Sequence, residues 1–408
     1  MSKKLQYILI GFVAIVLSMI IAIFSLMRLI STSIPPMDTQ VNAQVQAKES
    51  KNMPTELAKN ARAAALLDYH TGTFVFEKNP NEHYPIASMV KIMTLNCIFD
   101  AINNGQLSID SDITISENAA GMGGSQALLD ANSVYKANEL IKSIVVASAN
   151  DSCVALAEHI SGSVENFVQT MNAKATELGM KNTNFVNCTG LPAEGAYSSA
   201  YDVGIMMRAL LKHREFYDYA KVWMYEIEHP GGRKTILSNT NKLIKGYNGC
   251  DGGKTGFTNE AMYCLAATAK RGDTRLIAIT MGEKDSKVRN FETSSLLNYG
   301  FANYETKKVV DNTKELQDTI WISKGKTNEL KIAPKDDCFV FFKKTSNDKM
   351  TQTIQIEKFQ APIQRGDKVG EMQILQNGEK IATVDLIATM DIQESSYFDL
   401  LNKVLQSW

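Results

Sequence analysis

Residues 85–94 read Pro85-Ile86-Ala87-Ser88-Met89-Val90-Lys91-Ile92-Met93-Thr94. Beyond the proline, apolar residues at Met89, Ile92, Met93, Leu95, Ile98, Phe99 and Ile102 predict a helix that ends at Asn103-Asn104-Gly105. Ser88 and Lys91 stand three residues apart at its start. That is just under one turn, so hydroxyl and amine project from the same side. Serine is a weak nucleophile until a neighbour takes its proton, and a lysine held neutral by burial or nearby cations can do so. Backbone N–H groups at a helix start also favour developing negative charge.

Alone, the Ser-x-x-Lys spacing is a weak signal. Ser133–Lys136, Ser323–Lys326 and Ser346–Lys349 repeat it in polar or turn-like surroundings. Two further signals follow it in order. Ser148-Ala149-Asn150 separates two predicted helices, 137–147 and 151–161. Ser116-Glu117-Asn118 fits the same Ser-x-Asn pattern, and Ser148 taken singly also reads as a helix cap. Lys254-Thr255-Gly256 occurs once, on a predicted strand behind Gly252-Gly253. The weight lies in the ordered set: a Ser/Lys pair on a helix, Ser-x-Asn in a turn, Lys-Thr-Gly on a strand.

Working outward, Ala61–Asp68 and Thr73–Lys78 predict two strands around a turn at Tyr69–Gly72. Helices are expected at 164–178, 200–212 and 287–303, and strands at 254–258, 261–270 and 275–281. Strands at both ends with helices between predict one α/β (α+β) domain whose antiparallel sheet closes late in the chain. From Lys307 short apolar runs (318–322, 338–342, 354–358, 368–374, 380–386) predict a small all-β domain. Tyr397, Leu400, Leu401, Val404, Leu405 and Trp408 share one face of a helical tail suited to a membrane surface or to a neighbouring domain.

The chain has 408 residues, which at roughly 100–200 residues per domain predicts two or three domains. A formal net charge of −1 leaves no basic excess to neutralise phosphates, against a nucleic-acid partner. The six cysteines form no CxxC pair and read as buried hydrophobes without a functional disulfide. The five histidines are scattered, so no metal and no cofactor is expected. Lys3 and Lys4 precede an apolar run from Tyr7 to Met27, long enough at about 1.5 Å per residue to span a bilayer. An N-terminal transmembrane helix is expected, with a cleavable signal at Ser31-Thr32-Ser33 as the other reading. The leading lysines put the rest of the chain outside the cytoplasm.

With these residues in view, the chain resembles low-molecular-mass penicillin-binding proteins of the serine D-alanyl-D-alanine carboxypeptidase family. The likeness extends from Ala61 to the tail. It includes Tyr197-Ser198-Ser199-Ala200 and Asp251-Gly252-Gly253-Lys254-Thr255-Gly256-Phe257-Thr258. It implies a DD-peptidase/β-lactamase-like domain at 57–306, a β-rich domain at 307–391 and an amphipathic helix at 392–408. These follow an anchor or signal segment at 1–30 and a polar linker at 31–56. It implies release of the terminal D-Ala of a peptidoglycan stem through an acyl-enzyme on Ser88, with β-lactams as covalent inhibitors. The setting would be cell-wall synthesis and cell shape at the outer face of a bacterial membrane. Lys91 would accept the serine's proton, Ser148 and Lys254 would pass a proton to the leaving group, and Asn150 would hold the peptide. The N–H groups of Ser88 and Phe257, beside Gly256, would form the oxyanion hole, and Thr255 and Arg289 would receive the substrate's carboxylate. Phe257 departs from relatives that carry histidine there.

Three other readings share the motifs. A class A β-lactamase would need Glu-x-x-Leu-Asn between the second and third motifs, and residues 151–253 contain none. A non-catalytic peptidoglycan-binding protein on the same fold would show a broken motif, and all three are intact. A DD-transpeptidase or endopeptidase differs only in acceptor or bond, which the motifs leave open.

Overall fold

The computed structural model describes residues 56–406 apart from Asp318. The expected membrane span and the polar linker up to residue 55 lie outside these residues; within them, no helix is long and apolar enough to cross a membrane.

Five antiparallel strands make the main sheet: β1 (Ala63–Asp68), β2 (Phe74–Lys78), β7 (Cys250–Thr258), β8 (Met262–Arg271) and β9 (Thr274–Glu283), in the order β2-β1-β9-β8-β7. Every residue of β1 and β9 is buried. The reason lies in the two layers packed on the sheet. Ala63, Ala65, Leu67, Ile277 and Ile279 face the larger core, whereas Ala64, Leu66, Leu276 and Ala278 face a second one completed by Leu296, Leu297 and Phe301. A strand covered on both faces has no polar alternation to show. β2 and β7 are the outer strands, so the edge of β7 is open for pairing.

The helical layer is built round Lys91–Asn103, whose residues are buried except Asp100, Ile102 and Asn103. It follows a 3₁₀ turn, Ala87–Val90. Around it pack the helices Ala137–Ala147, Asn150–Ser161, Val164–Glu177 and Ala200–Leu210. Side chains cap several of these: Ser163 Oγ accepts from Asn166 N, and Ser199 Oγ from Asp202 N. The long helix Ser286–Asn303 begins at Asp285, whose carboxylate accepts from the N–H groups of Lys287 and Val288. Such caps contribute about 1 kcal/mol each.

Two small hairpins, β3 (Asp112–Thr114) with β4 (Val134–Lys136) and β5 (Met224–Glu228) with β6 (Lys234–Ser238), lie beyond what periodicity predicted. So do β10 (Tyr304–Val310), which runs through the expected boundary at Lys307, and β12 (Glu329–Pro334). β10 pairs with β13 (Cys338–Lys343). β11 (Thr319–Trp321), β14 (Met350–Ile356), β15 (Lys368–Gln376) and β16 (Glu379–Ala388) join β12 in the order β11-β12-β16-β15-β14. Their core centres on Ile322, Leu330, Ile332, Val369, Ile374 and Leu386. Asp68 ties β10 to the main sheet, its buried carboxylate accepting from Thr306 Oγ1 at 2.7 Å and from Thr71 N at 2.7 Å. All six cysteines are buried thiols.

Candidate active site

Ser88 sits in the 3₁₀ turn and Lys91 is the first residue of the helix behind it. The turn is entered through Ala87, held in the left-handed region at φ 47°. Glycines let other backbones approach it. A Cβ on Gly256 of β7 would lie 2.6 Å from the Ile86 carbonyl oxygen, and one on Gly190 would lie 2.0 Å from that of Ala87. The serine turn is thus wedged between the Lys-Thr-Gly strand and the 187–191 loop.

Lys91 is fully buried, and its Nζ donates to Ser88 Oγ at 3.0 Å, Asn150 Oδ1 at 2.7 Å and the Thr189 carbonyl at 2.5 Å. Burial pushes its ammonium down from the usual lysine range, against the opposing pull of Cys153, Cys188 and Asp151. Asn150 is fixed in turn, donating through Nδ2 to Gly123 O and through its backbone N–H to Ser125 O, both at 2.7 Å.

Ser148 closes the helix Ala137–Ala147 in the left-handed region at φ 65°. A non-glycine residue there costs about 1–2 kcal/mol. Its hydroxyl accepts from Lys254 Nζ at 2.8 Å. Lys254 is also buried, and burial, then the charges of Lys91 and Arg289, hold its ammonium well below the ordinary range against the pull of Cys153. Thr255 Oγ1 donates to Thr240 Oγ1 at 2.8 Å. Arg289, on the helix Ser286–Asn303, is 5% exposed, and its guanidinium donates to Asn290 Oδ1. Phe257 projects from β7, half-exposed, its ring tilted against that of Tyr263 with centroids 4.3 Å apart.

The fold therefore joins Ser88, Lys91 and Asn150 in one hydrogen-bonded group and Ser148 with Lys254 in a second, the two lysines close enough to repel. The other pattern matches serve locally. Ser116 Oγ caps a short helix by accepting from Ala119 N and donates to Glu158. Lys136 pairs with Asp112, Lys326 donates to Gln393, and Ser346 donates to the Lys343 carbonyl. Thr189, Gly190, Gly123 and Thr240 escaped the sequence reading. The first three act through backbone atoms, which leave no side-chain signature, and Thr240 follows no motif.

A family model described as D-alanyl-D-alanine carboxypeptidase matches residues 47–285, and one described as penicillin-binding protein 5, C-terminal domain, matches residues 304–394. The chain belongs to the D-alanyl-D-alanine carboxypeptidase family. It is 38% identical over 364 residues to D-alanyl-D-alanine carboxypeptidase DacF of Bacillus subtilis, covering 89% of this chain and 93% of that one. Penicillin-binding protein 5 of Haemophilus influenzae superposes with a TM-score of 0.69 at 32% identity, over 84% of this chain and 99% of that one. A variant of the Streptomyces K15 DD-transpeptidase matches at TM-score 0.56 and 27% identity, over 60% of this chain and 98% of that one. For this carboxypeptidase family member, the resemblance seen in the sequence extends through both the α/β domain and the β domain.

Proposed function

We propose that this chain is a serine-type DD-carboxypeptidase that removes the terminal D-Ala from peptidoglycan stems and is acylated by β-lactams at Ser88. The observation that carries the reading is Lys91 Nζ, buried, depressed in pKa and 3.0 Å from Ser88 Oγ. In its neutral form the amine takes the hydroxyl proton as Oγ attacks the carbonyl carbon of the penultimate D-Ala. The oxyanion that forms is received by the backbone N–H groups of Ser88 and Phe257. One such donor is typically worth about 10²–10³ in turnover.

Collapse of the tetrahedral intermediate breaks the C–N bond. The departing amine takes its proton through Ser148 Oγ, which Lys254 Nζ feeds at 2.8 Å. Lys91 passes the proton it took from Ser88 on to the deprotonated Ser148–Lys254 pair, which returns its amine to the neutral form. Water then attacks the ester with Lys91 as base, and Ser88 Oγ leaves with that proton. Asn150 aligns the peptide while steadying Lys91, and Thr255, Gly256 and Arg289 receive the terminal carboxylate. A second reading, transfer of the acyl group to an amine, is favoured by the likeness to the Streptomyces K15 DD-transpeptidase.

The division into a catalytic domain over 57–306, a β domain over 307–391 and an amphipathic tail over 392–408 belongs to this reading. So does attachment to the outer face of the cytoplasmic membrane through residues 1–30, with 31–56 as linker. The tail helix Tyr397–Gln406 supports a second membrane contact, with Tyr397, Phe398 and Leu405 at 75%, 73% and 66% exposure.

The test is free D-alanine released from a pentapeptide stem by the full chain in detergent. Ser88→Ala is expected to abolish both release and labelling by a fluorescent penicillin. Labelling that persists in Ser88→Ala would remove Ser88 from the nucleophile's role.

A further inference from the structure

Beside Arg289 stands a buried acid that the roles above leave unused. Glu283 closes β9 with no exposed surface, and neither of its carboxyl oxygens has a hydrogen-bond partner among the described residues. Strand pairing places it. Phe257 on β7 pairs with Tyr263 on β8, and Tyr263 pairs with Glu283 on β9. The three form one row, so Glu283 lies two strand spacings, about 10 Å, from the edge strand that carries the Lys-Thr-Gly motif.

The helix Ser286–Asn303 packs against β8 and β9. Arg289 and Glu292 stand three residues apart on it, both buried, and so share a face. The Glu292 carboxylate is satisfied, accepting from Asn60 N at 2.9 Å, Asn60 Nδ2 at 2.6 Å and Ala61 N at 3.2 Å. Three donors favour its ionised form. The groups whose ionisation would strengthen the Arg289 cation are the Cys264 thiol, the Tyr263 phenol and the Glu283 carboxyl. The carboxyl is the one of these three chemical types that ionises readily near neutral pH.

The other charges around Glu283 are engaged elsewhere. Lys78 Nζ donates to the carbonyls of Ala58 and Lys59, and Asp285 accepts from the N–H groups of Lys287 and Val288. Arg62, whose stem lies against Gly282, donates to the Glu260 carbonyl and Met262 Sδ. Burial, then the Glu292 carboxylate, raise the Glu283 pKa to about 8 against the pull of Lys78. At neutral pH this buried face therefore holds one cation, Arg289, and one anion, Glu292, whose oxygens are already taken. Ionising Glu283 adds a second anion with no donor of its own.

We propose that Glu283 is a positioning residue of the carboxylate subsite: protonated, it leaves the Arg289 charge to the substrate's terminal carboxylate, and ionised, it competes for that charge and weakens the site. The inference rests on the carboxypeptidase reading, which gives Arg289 its role, and adds to it a pH control on substrate binding.

The experiment measures kcat and KM for D-alanine release from an N-acylated L-Lys-D-Ala-D-Ala peptide by the full chain in detergent. It compares the wild type with Glu283→Gln from pH 6 to 9.5. Titration of Lys91 and Lys254 acts on both proteins, so their KM ratio at each pH isolates position 283. That ratio is expected near one at pH 6. At pH 9 the wild-type KM is expected to be about threefold to tenfold the higher, the scale of one unit charge acting across a partly screened separation. The difference should lie in KM and not in kcat, because the carboxylate is held alike in ground and transition states. Glu283→Ala, which also cannot ionise, should open the same gap. In an Arg289→Gln background the gap should close, since Glu283 acts through that residue. A KM ratio that stays constant with pH, or a gap that survives the loss of Arg289, overturns this inference and leaves the carboxypeptidase reading standing. Absence of both D-alanine release and penicillin labelling in the wild type overturns that reading and this inference with it.

Discussion

Gly190 and Ala87 meet backbone against backbone: the position of a Cβ on Gly190 falls 2.0 Å from the Ala87 carbonyl oxygen, and Gly190 holds φ at 79°. The residue before Ser88 and the loop that supplies the Thr189 carbonyl to Lys91 are thus set against each other with no room for a side chain. Gly190→Ala has to strain a left-handed position and push two backbones apart. We expect a loss of roughly 2–4 kcal/mol of stability and acylation slowed by about tenfold or more, since small misplacements of a reacting group are costly. Urea unfolding and stopped-flow penicillin acylation measure the two effects. An alanine variant with wild-type values of both would show that the contact does not position Ser88.

The depressed lysines set a pH dependence. Lys91 accepts a proton only when neutral, so acylation rises with pH through its folded pKa. Because burial lowers that pKa, the rising limb is expected below the ordinary lysine value near 10.4. With Lys91 and Lys254 coupled, the limb reports the pair and not one residue. Acylation rates of a fluorescent penicillin from pH 6 to 10.5 check this. A limb centred at the ordinary lysine position would contradict the assignment of Lys91 as base.

Arg289 is a buried cation whose hydrogen bonds go to a neutral amide, Asn290 Oδ1. A carboxylate arriving from the substrate would complete it. Arg289→Gln is expected to lower kcat/KM for a peptide ending in free D-alanine by about 10²-fold, in line with the 2–5 kcal/mol at stake in a buried charge pair. A peptide ending in D-alanine amide should lose far less. Equal losses on both would assign Arg289 a structural role only.

Glu283, at the end of β9, is fully buried, and neither carboxylate oxygen has a hydrogen-bond partner among the described residues. Its neighbour Glu292 already accepts from Asn60 and Ala61. Burial, then the neighbouring Glu292 carboxylate, push Glu283 up to about 8. A folded value above the unfolded one, 4.5, means that folding takes up a proton between them. Stability should therefore fall as pH rises from about 4.5 to about 8 and level off above. Glu283→Gln, which keeps the shape without the charge, is expected to recover about 1–3 kcal/mol at pH 8. Thermal melts of both proteins across this window test it; parallel pH profiles would clear Glu283 of the effect.

The sequence by itself determined the local order. Apolar spacing after Pro85 set the helix that carries Lys91, and strand-like runs bounded by turn residues marked β1, β2, β8 and β9, because secondary structure follows which side chains a short segment must bury. Polar-alternating β5 and β6, and β10 across the expected boundary, gave weaker local signals and were missed. Only the tertiary structure decided that Ser148-Ala149-Asn150, and not Ser116-Glu117-Asn118, meets Lys-Thr-Gly. Ser116 is used as a helix cap, while Ser148 reaches Lys254 from 106 residues away. It also decided that Asn150, 59 residues from Lys91, shares that amine with Ser88. Such meetings depend on how layers close over both faces of a sheet, and on glycine gaps at positions 190 and 256 that let backbones touch. Neither is written in any one segment's periodicity.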